Sequence, residues 1–114
     1  MATLYKICPM ELWRAAEAAG AFDGAPVDHA DGFIHLSLAG QVEETAARHF
    51  AGQDDLLLIA VDGDALGGSL RFEASRGGDL FPHLYGPLPL SAVEWTAPLP
   101  LGPDGRHLFP TLDL

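Results

Sequence analysis

Two short runs concentrate the residue types that do chemistry: Gly32-Phe33-Ile34-His35-Leu36-Ser37, with Gln41 beyond it, and Phe81-Pro82-His83-Leu84-Tyr85-Gly86-Pro87. A neutral imidazole both donates and accepts a hydrogen bond, so each histidine can move a proton or orient a ligand oxygen near neutral pH. In an extended 33–37 segment, Phe33, His35 and Ser37 share one face while Ile34 and Leu36 take the other. Ser37 then stands where a following helix wants its N-cap, which brings free backbone N–H groups beside that face and favours a ligand oxygen or phosphate. A half-buried strand histidine bonded to a carbonyl, next to a simple cap, accounts for the same residues without a ligand. In the second run His83 and Tyr85 share a face, and the tyrosine offers a flat ring for stacking and a hydroxyl for orientation. The plain alternative there is a rigid aromatic turn that closes the core.

Glu73 is the carboxylate of most interest, because an acid on the polar side of a strand can stabilise a developing cation or act as a base. The candidate catalytic residues are therefore His35, Glu73, His83 and Tyr85, and the candidate substrate-binding residues are Phe33, Ser37, Gln41 and Arg71. His29, in a polar loop, His49, beside the stripe of a helix, and His107, in the C-terminal loop, read as structural or exposed. No metal is expected, since the chain has no His-x-His, His-Glu-x-x-His or paired-cysteine spacing. Glycine-rich dinucleotide and phosphate loops and the Gly-x-Ser-x-Gly elbow are missing too.

These residues must be held by elements that hydropathy outlines. Leu4 to Ile7 reads as a strand, followed by a helix that opens at Pro9, turns Leu12, Trp13, Ala16 and Ala19 inward and stops at Gly20. Gly20 to Asp31 reads as a surface loop. Phe33 to Leu36 is a strand, and a second helix runs from the Ser37 cap to about Phe50 with Leu38, Val42, Ala46 and Phe50 as its buried stripe. Leu56 to Val61 is apolar throughout and belongs at the centre of a sheet, covered on both faces. Alternation from Leu70 to Ser75 puts Leu70, Phe72 and Ala74 on the apolar face and Arg71, Glu73 and Ser75 on the other. From Pro82 to Pro103 prolines recur too often for a central strand, although Val93 to Ala97 can pair before the Gly102 to Gly105 turn. The whole is α+β: two helices packed on a twisted, mostly antiparallel split sheet.

Length and charge limit the function. With 114 residues the chain is one domain, and a hydrophobic fraction of 48% is ordinary for a soluble globule, with no run long enough for a membrane helix. Sixteen acidic residues against six scattered cations, a net charge of -10, disfavour extended nucleic acid, which needs clustered cations. A small anionic ligand needs only one or two placed arginines and a helix N-terminus. The lone Cys8 reads as a small buried apolar residue in a reducing compartment, and with no basic leader or apolar signal segment the expected location is cytoplasmic.

The order Leu4-Tyr5-Lys6-Ile7, Trp13, Gly-Phe-Ile-His-Leu-Ser with Gln41, Leu70-Arg71-Phe72-Glu73 and Phe-Pro-His-Leu-Tyr-Gly-Pro-Leu resembles a family of small bacterial proteins known as domain of unknown function 952. The resemblance implies an ADP-ribosyltransferase-like fold, akin to the branch that includes the RNA 2'-phosphotransferases, with a cleft in a split antiparallel sheet that takes NAD or ADP-ribose-like groups. On that likeness His35 corresponds to the first-strand histidine that hydrogen-bonds a ribose hydroxyl, Tyr85 to the aromatic flanking the nicotinamide, and Glu73 to the acid that stabilises an oxocarbenium-like transition state. The chain departs from the transferases in lacking a Ser-Thr-Ser or Gln-x-Glu element and in placing Glu73 before Tyr85. Three readings stay open: an enzyme that transfers or hydrolyses a ribosyl or phosphoryl group of NAD, ADP-ribose or a related nucleotide, a non-catalytic nucleotide or metabolite module with the same cleft, and a structural role. The oligomeric state is not legible.

Overall fold

The apolar run becomes strand β4 (Leu56–Asp62), flanked on one side by β1 (Thr3–Pro9) and on the other by β8 (Val93–Pro98), both antiparallel to it. The computed structural model describes residues 3–112. Because successive side chains of a strand point to opposite faces, β4 serves two cores at once. Leu57, Ile59 and Val61 join Leu4, Cys8, Trp13 and Phe22 on one side, and Leu56, Leu58 and Ala60 join Tyr5, Ile7, Val42 and Ala46 on the other.

Helix α1 (Met10–Ala19) follows β1 directly and ends on Gly20, whose positive φ of 93° and N–H to the Ala16 carbonyl close the last turn. Trp13 and Ala16 are buried and Leu12 packs, partly buried, against the same core, but Ala19 is exposed, contrary to its expected inward placement. The interval 20–31 is not a loop. It holds β2 (Ala21–Phe22), paired with β7 (Leu88–Pro89), and helix α2 (Pro26–Asp31), which carries His29. Pro26 pre-sets the first turn, and the Ala25 N–H donates to Asp28 Oδ2 at 2.8 Å.

The third sheet holds β3 (Ile34–His35), β6 (Leu80–Leu84) and β5 (Leu70–Ala74), with β6 in the middle. A proline-bearing strand was not expected at the centre. The Pro82 carbonyl accepts from Leu36 N at 3.0 Å, so the residue's missing N–H also faces the β3 side, just past the two-residue pairing of β3, where little ladder is lost. The β5 faces are also the reverse of expectation at their middle. Phe72 is 45% exposed, and Glu73 is the more covered of the pair because aromatic side chains of β6 and its flank pack over it.

Ser37 is not a helix cap. Its N–H and carbonyl exchange bonds of 2.8 Å with Tyr5, a bridge that fixes it as extended chain and ties β3 to the first sheet. The following helix, α3 (Val42–His49), begins later, after a turn in which Gln41 Oε1 accepts from Leu38 N at 3.0 Å. The result is α+β with antiparallel sheets, as expected, but with three α-helices among the described residues rather than two. None of the described helices is long and apolar enough to cross a membrane.

Candidate functional site

The β1 alternation that buries Leu4 and Cys8 also turns Lys6 inward, and an ammonium in such a place needs a counter-charge. Asp28 of α2 supplies it, with Lys6 Nζ 2.8 Å from Oδ2 and 3.0 Å from Oδ1. Asp28 is only 2% exposed and takes more than the lysine. Its carboxylate also accepts from Ala25 N, from His35 N at 3.1 Å and from His35 Nδ1 at 2.6 Å. Burial alone pushes this carboxyl up, but the His35 hydrogen bond, the Lys6 charge and the Ala25 N–H outweigh it and hold Asp28 well below the usual carboxylate range. The other nitrogen of His35, Nε2, meets Asp31 Oδ2 at 2.8 Å.

Opposite His35 in the ladder stands His83. Since Pro82 turns its backbone groups toward β3, those of His83 face β5, and His35 and His83 form the narrow, non-hydrogen-bonded kind of pair that brings side chains close. Their ring centroids are 5.9 Å apart, edge to face. His83 is buried, stacked on Phe33 at 4.0 Å, with Nδ1 2.8 Å from Glu73 Oε1. The same oxygen accepts from the Tyr85 hydroxyl at 2.7 Å. These bonds, Tyr85 first and His83 second, hold Glu73 below its ordinary value, and the charged acceptor raises Tyr85 above its own. An ionised Glu73 can only accept, so the Nδ1–H of neutral His83 donates to it and Nε2 is left as a lone-pair acceptor.

Both imidazoles line one cleft of about 480 Å³ framed by β1, α2, β3, α3 and β6. Lys6, Asp31, Ser37 and Thr45 share its wall, and Phe50 and Phe81 make it part apolar. Of the residues singled out by sequence, His35, His83 and Ser37 reach the cleft. Phe33, Glu73 and Tyr85 form a second layer that sets His83, so Glu73 is placed to orient an imidazole rather than to touch a substrate. Arg71 lies over the Tyr85 ring at 5.3 Å, and Gln41 spends its amide on the Leu80 carbonyl at 2.9 Å. Ser37 Oγ is 3.2 Å from Thr45 Oγ1. Asp28, Asp31 and Lys6 were missed, and the one signal that could have found them is a lysine on the inward face of an apolar strand. No cluster of metal-ligating side chains occurs among the described residues.

The model of a family described as "Protein of unknown function (DUF952)" matches residues 7–96. The chain belongs to this family. Solved structures of CC0527 from Caulobacter crescentus share the fold of this DUF952 chain. A crystal structure is 52% identical, covers 93% of each chain and superposes with a TM-score of 0.90. A solution structure of the same protein is 53% identical, covers 93% of this chain and 91% of that one, and gives 0.84. No curated protein matches the chain at a significant level. For DUF952 the likeness therefore fixes the architecture, and the site must be read from its own geometry.

Proposed function

We propose that this DUF952 protein is a small enzyme that binds NAD, ADP-ribose or a related nucleotide in the cleft and transfers or hydrolyses a ribosyl or phosphoryl group. The observation that carries the reading is His83 held between Phe33 and Glu73: its tautomer is set by a carboxylate, its ring is fixed by a stack, and the residue lines the cleft. That is the arrangement of an oriented general base. Glu73 is a positioning residue here. The nucleotide class follows from the likeness to the ADP-ribosyltransferases that the sequence motifs imply, and a cleft of this volume suits a nucleoside-sized group. The working compartment proposed is the cytoplasm, with no extended nucleic acid and no membrane as partner, because the cations are few and scattered.

One observation favours the non-catalytic module instead. Both nitrogens of His35 already face the protein's own carboxylates, so a ribose hydroxyl reaches that ring only by displacing Asp31. Saturation-transfer NMR with NAD, ADP-ribose and adenosine monophosphate, followed by phosphorus NMR of the incubated mixtures, separates the two readings. Binding with turnover is expected, and His83→Asn should keep binding while slowing turnover on the order of 10²- to 10⁴-fold. Binding without turnover by the parent chain leaves the module, and no binding of any of the three ends both.

A further inference from the structure

We propose that His35 and His83 form a two-histidine proton-transfer pair that cleaves a small phosphodiester, with Asp31 occupying the place of the substrate's departing oxygen until substrate displaces it. The inference rests on the cleft reading above and narrows it to the phosphoryl side.

The two rings are mounted alike. Glu73 stands behind Nδ1 of His83 at 2.8 Å and Asp28 behind Nδ1 of His35 at 2.6 Å, and the two histidines line the same cleft. With centroids 5.9 Å apart, one tetrahedral group making hydrogen bonds of about 2.8 Å can touch both rings. Ribosyl transfer asks instead for a carboxylate near a developing cation, and Glu73 lies behind His83 rather than on the cleft wall. What the cleft offers is a proton acceptor on one side and a donor on the other. An imidazole that meets a carboxylate at each nitrogen satisfies both only as a two-donor ring, which assigns the donor role to His35.

Asp31 supplies a second observation. Its Oδ2 sits 2.8 Å from His35 Nε2, and its side chain is half exposed on the last turn of α2. An oxyanion thus already fills the forward position, held by a group that can swing into water. The departing oxygen of a phosphodiester, on which negative charge develops, makes the same charge-assisted bond there, as does a phosphate oxygen of a bound monoester.

The reaction balances with solvent water as the only co-reactant. Water gives a proton to His83 Nε2 as its oxygen forms the new P–O bond, the P–O bond to the departing alkoxide breaks, and that oxygen takes the proton from His35 Nε2. The products are a phosphomonoester and an alcohol. His83 then carries the proton that His35 has lost, and exchange with solvent resets both. The charged and titratable groups that surround the pair are Glu73 and Arg71 of β5, Tyr85, Asp28 and Asp31 of α2, Lys6 of β1 and His49 of α3.

The test uses the full chain with bis(para-nitrophenyl) phosphate and ribose-bridged cyclic adenosine monophosphate as substrates and adenosine monophosphate as binding probe. Turnover with a bell-shaped pH profile is expected, and His35→Asn and His83→Asn should each lower it on the order of 10²- to 10⁴-fold while the amide NMR spectrum stays dispersed. Glu73→Gln should lower kcat more than it raises KM and displace one limb of the profile. Asp31→Asn removes a competing charge and should tighten adenosine monophosphate about fivefold. Should His35→Asn lose its fold, the Asp31→Asn result decides. Probe binding with no cleavage of either diester overturns the pair and leaves the cleft reading standing. Weaker probe binding by Asp31→Asn overturns the role given to Asp31, and no probe binding at all overturns the nucleotide cleft itself.

Discussion

The Asp28 carboxylate joins three elements through Lys6, the Ala25 and His35 backbone N–H groups and the His35 ring. Removing its charge leaves the Lys6 ammonium buried without a partner, so Asp28→Asn should cost about 3–5 kcal/mol, read as a lower urea midpoint. The pH dependence follows from its lowered folded-state value. A depressed carboxyl contributes its full stability above the unfolded value, about 4, and loses it as pH falls below that toward the folded one, so acid should destabilise the parent more steeply than Asp28→Asn. Little of this was legible in the chain, where Asp28 stands among Asp23, His29 and Asp31 and reads as part of a polar loop. His35, Glu73 and His83 could be picked by type, but their joining depends on the register that sets His35 and Arg71 opposite His83. Hydropathy does not specify that register.

Among the elements, β4 and α1 were readable because one is apolar throughout and the other has a clear start and stop, whereas α2 and β6 were not. Helix α2 has six residues, too few for a stripe, and its buried member is an aspartate. Strand β6 carries a proline that only the two-residue length of β3 makes tolerable at the centre of a sheet. The end of α2 matters for the cleft because Gly32 turns the chain from the helix into Phe33. It does so with a φ of 86° and an N–H to the Asp28 carbonyl at 2.8 Å, in open space where an added Cβ meets nothing within 4 Å. The cost of Gly32→Ala is then backbone strain alone, about 1–2 kcal/mol. Thermal unfolding should fall by several degrees, roughly 4–8 °C per kcal/mol, with Gly32→Asn losing less.

Across the whole molecule, β4 lends alternate side chains to two cores, so neither can open while the other stays closed. Trp13 lies in the first core, while Trp95 packs against Tyr5 of the second with ring centroids 6.1 Å apart. Urea unfolding followed by fluorescence in Trp13→Phe and in Trp95→Phe should therefore show the same degree of cooperativity, with each remaining tryptophan tracking far-UV circular dichroism of its own variant. A divergence between the two probes would mean that the cores melt separately. The same strand pairing has a consequence for Cys8. It lies opposite Leu57 with none of its surface exposed, and burial, opposed by Lys6 and aided by Asp28, pushes its thiol up to about 11. A thiol of that kind is silent toward reagents while the sheet is intact. It becomes reactive only when β1 separates from β4, which gives the chain a covalent recorder of its own opening, placed at the strand on which both cores depend.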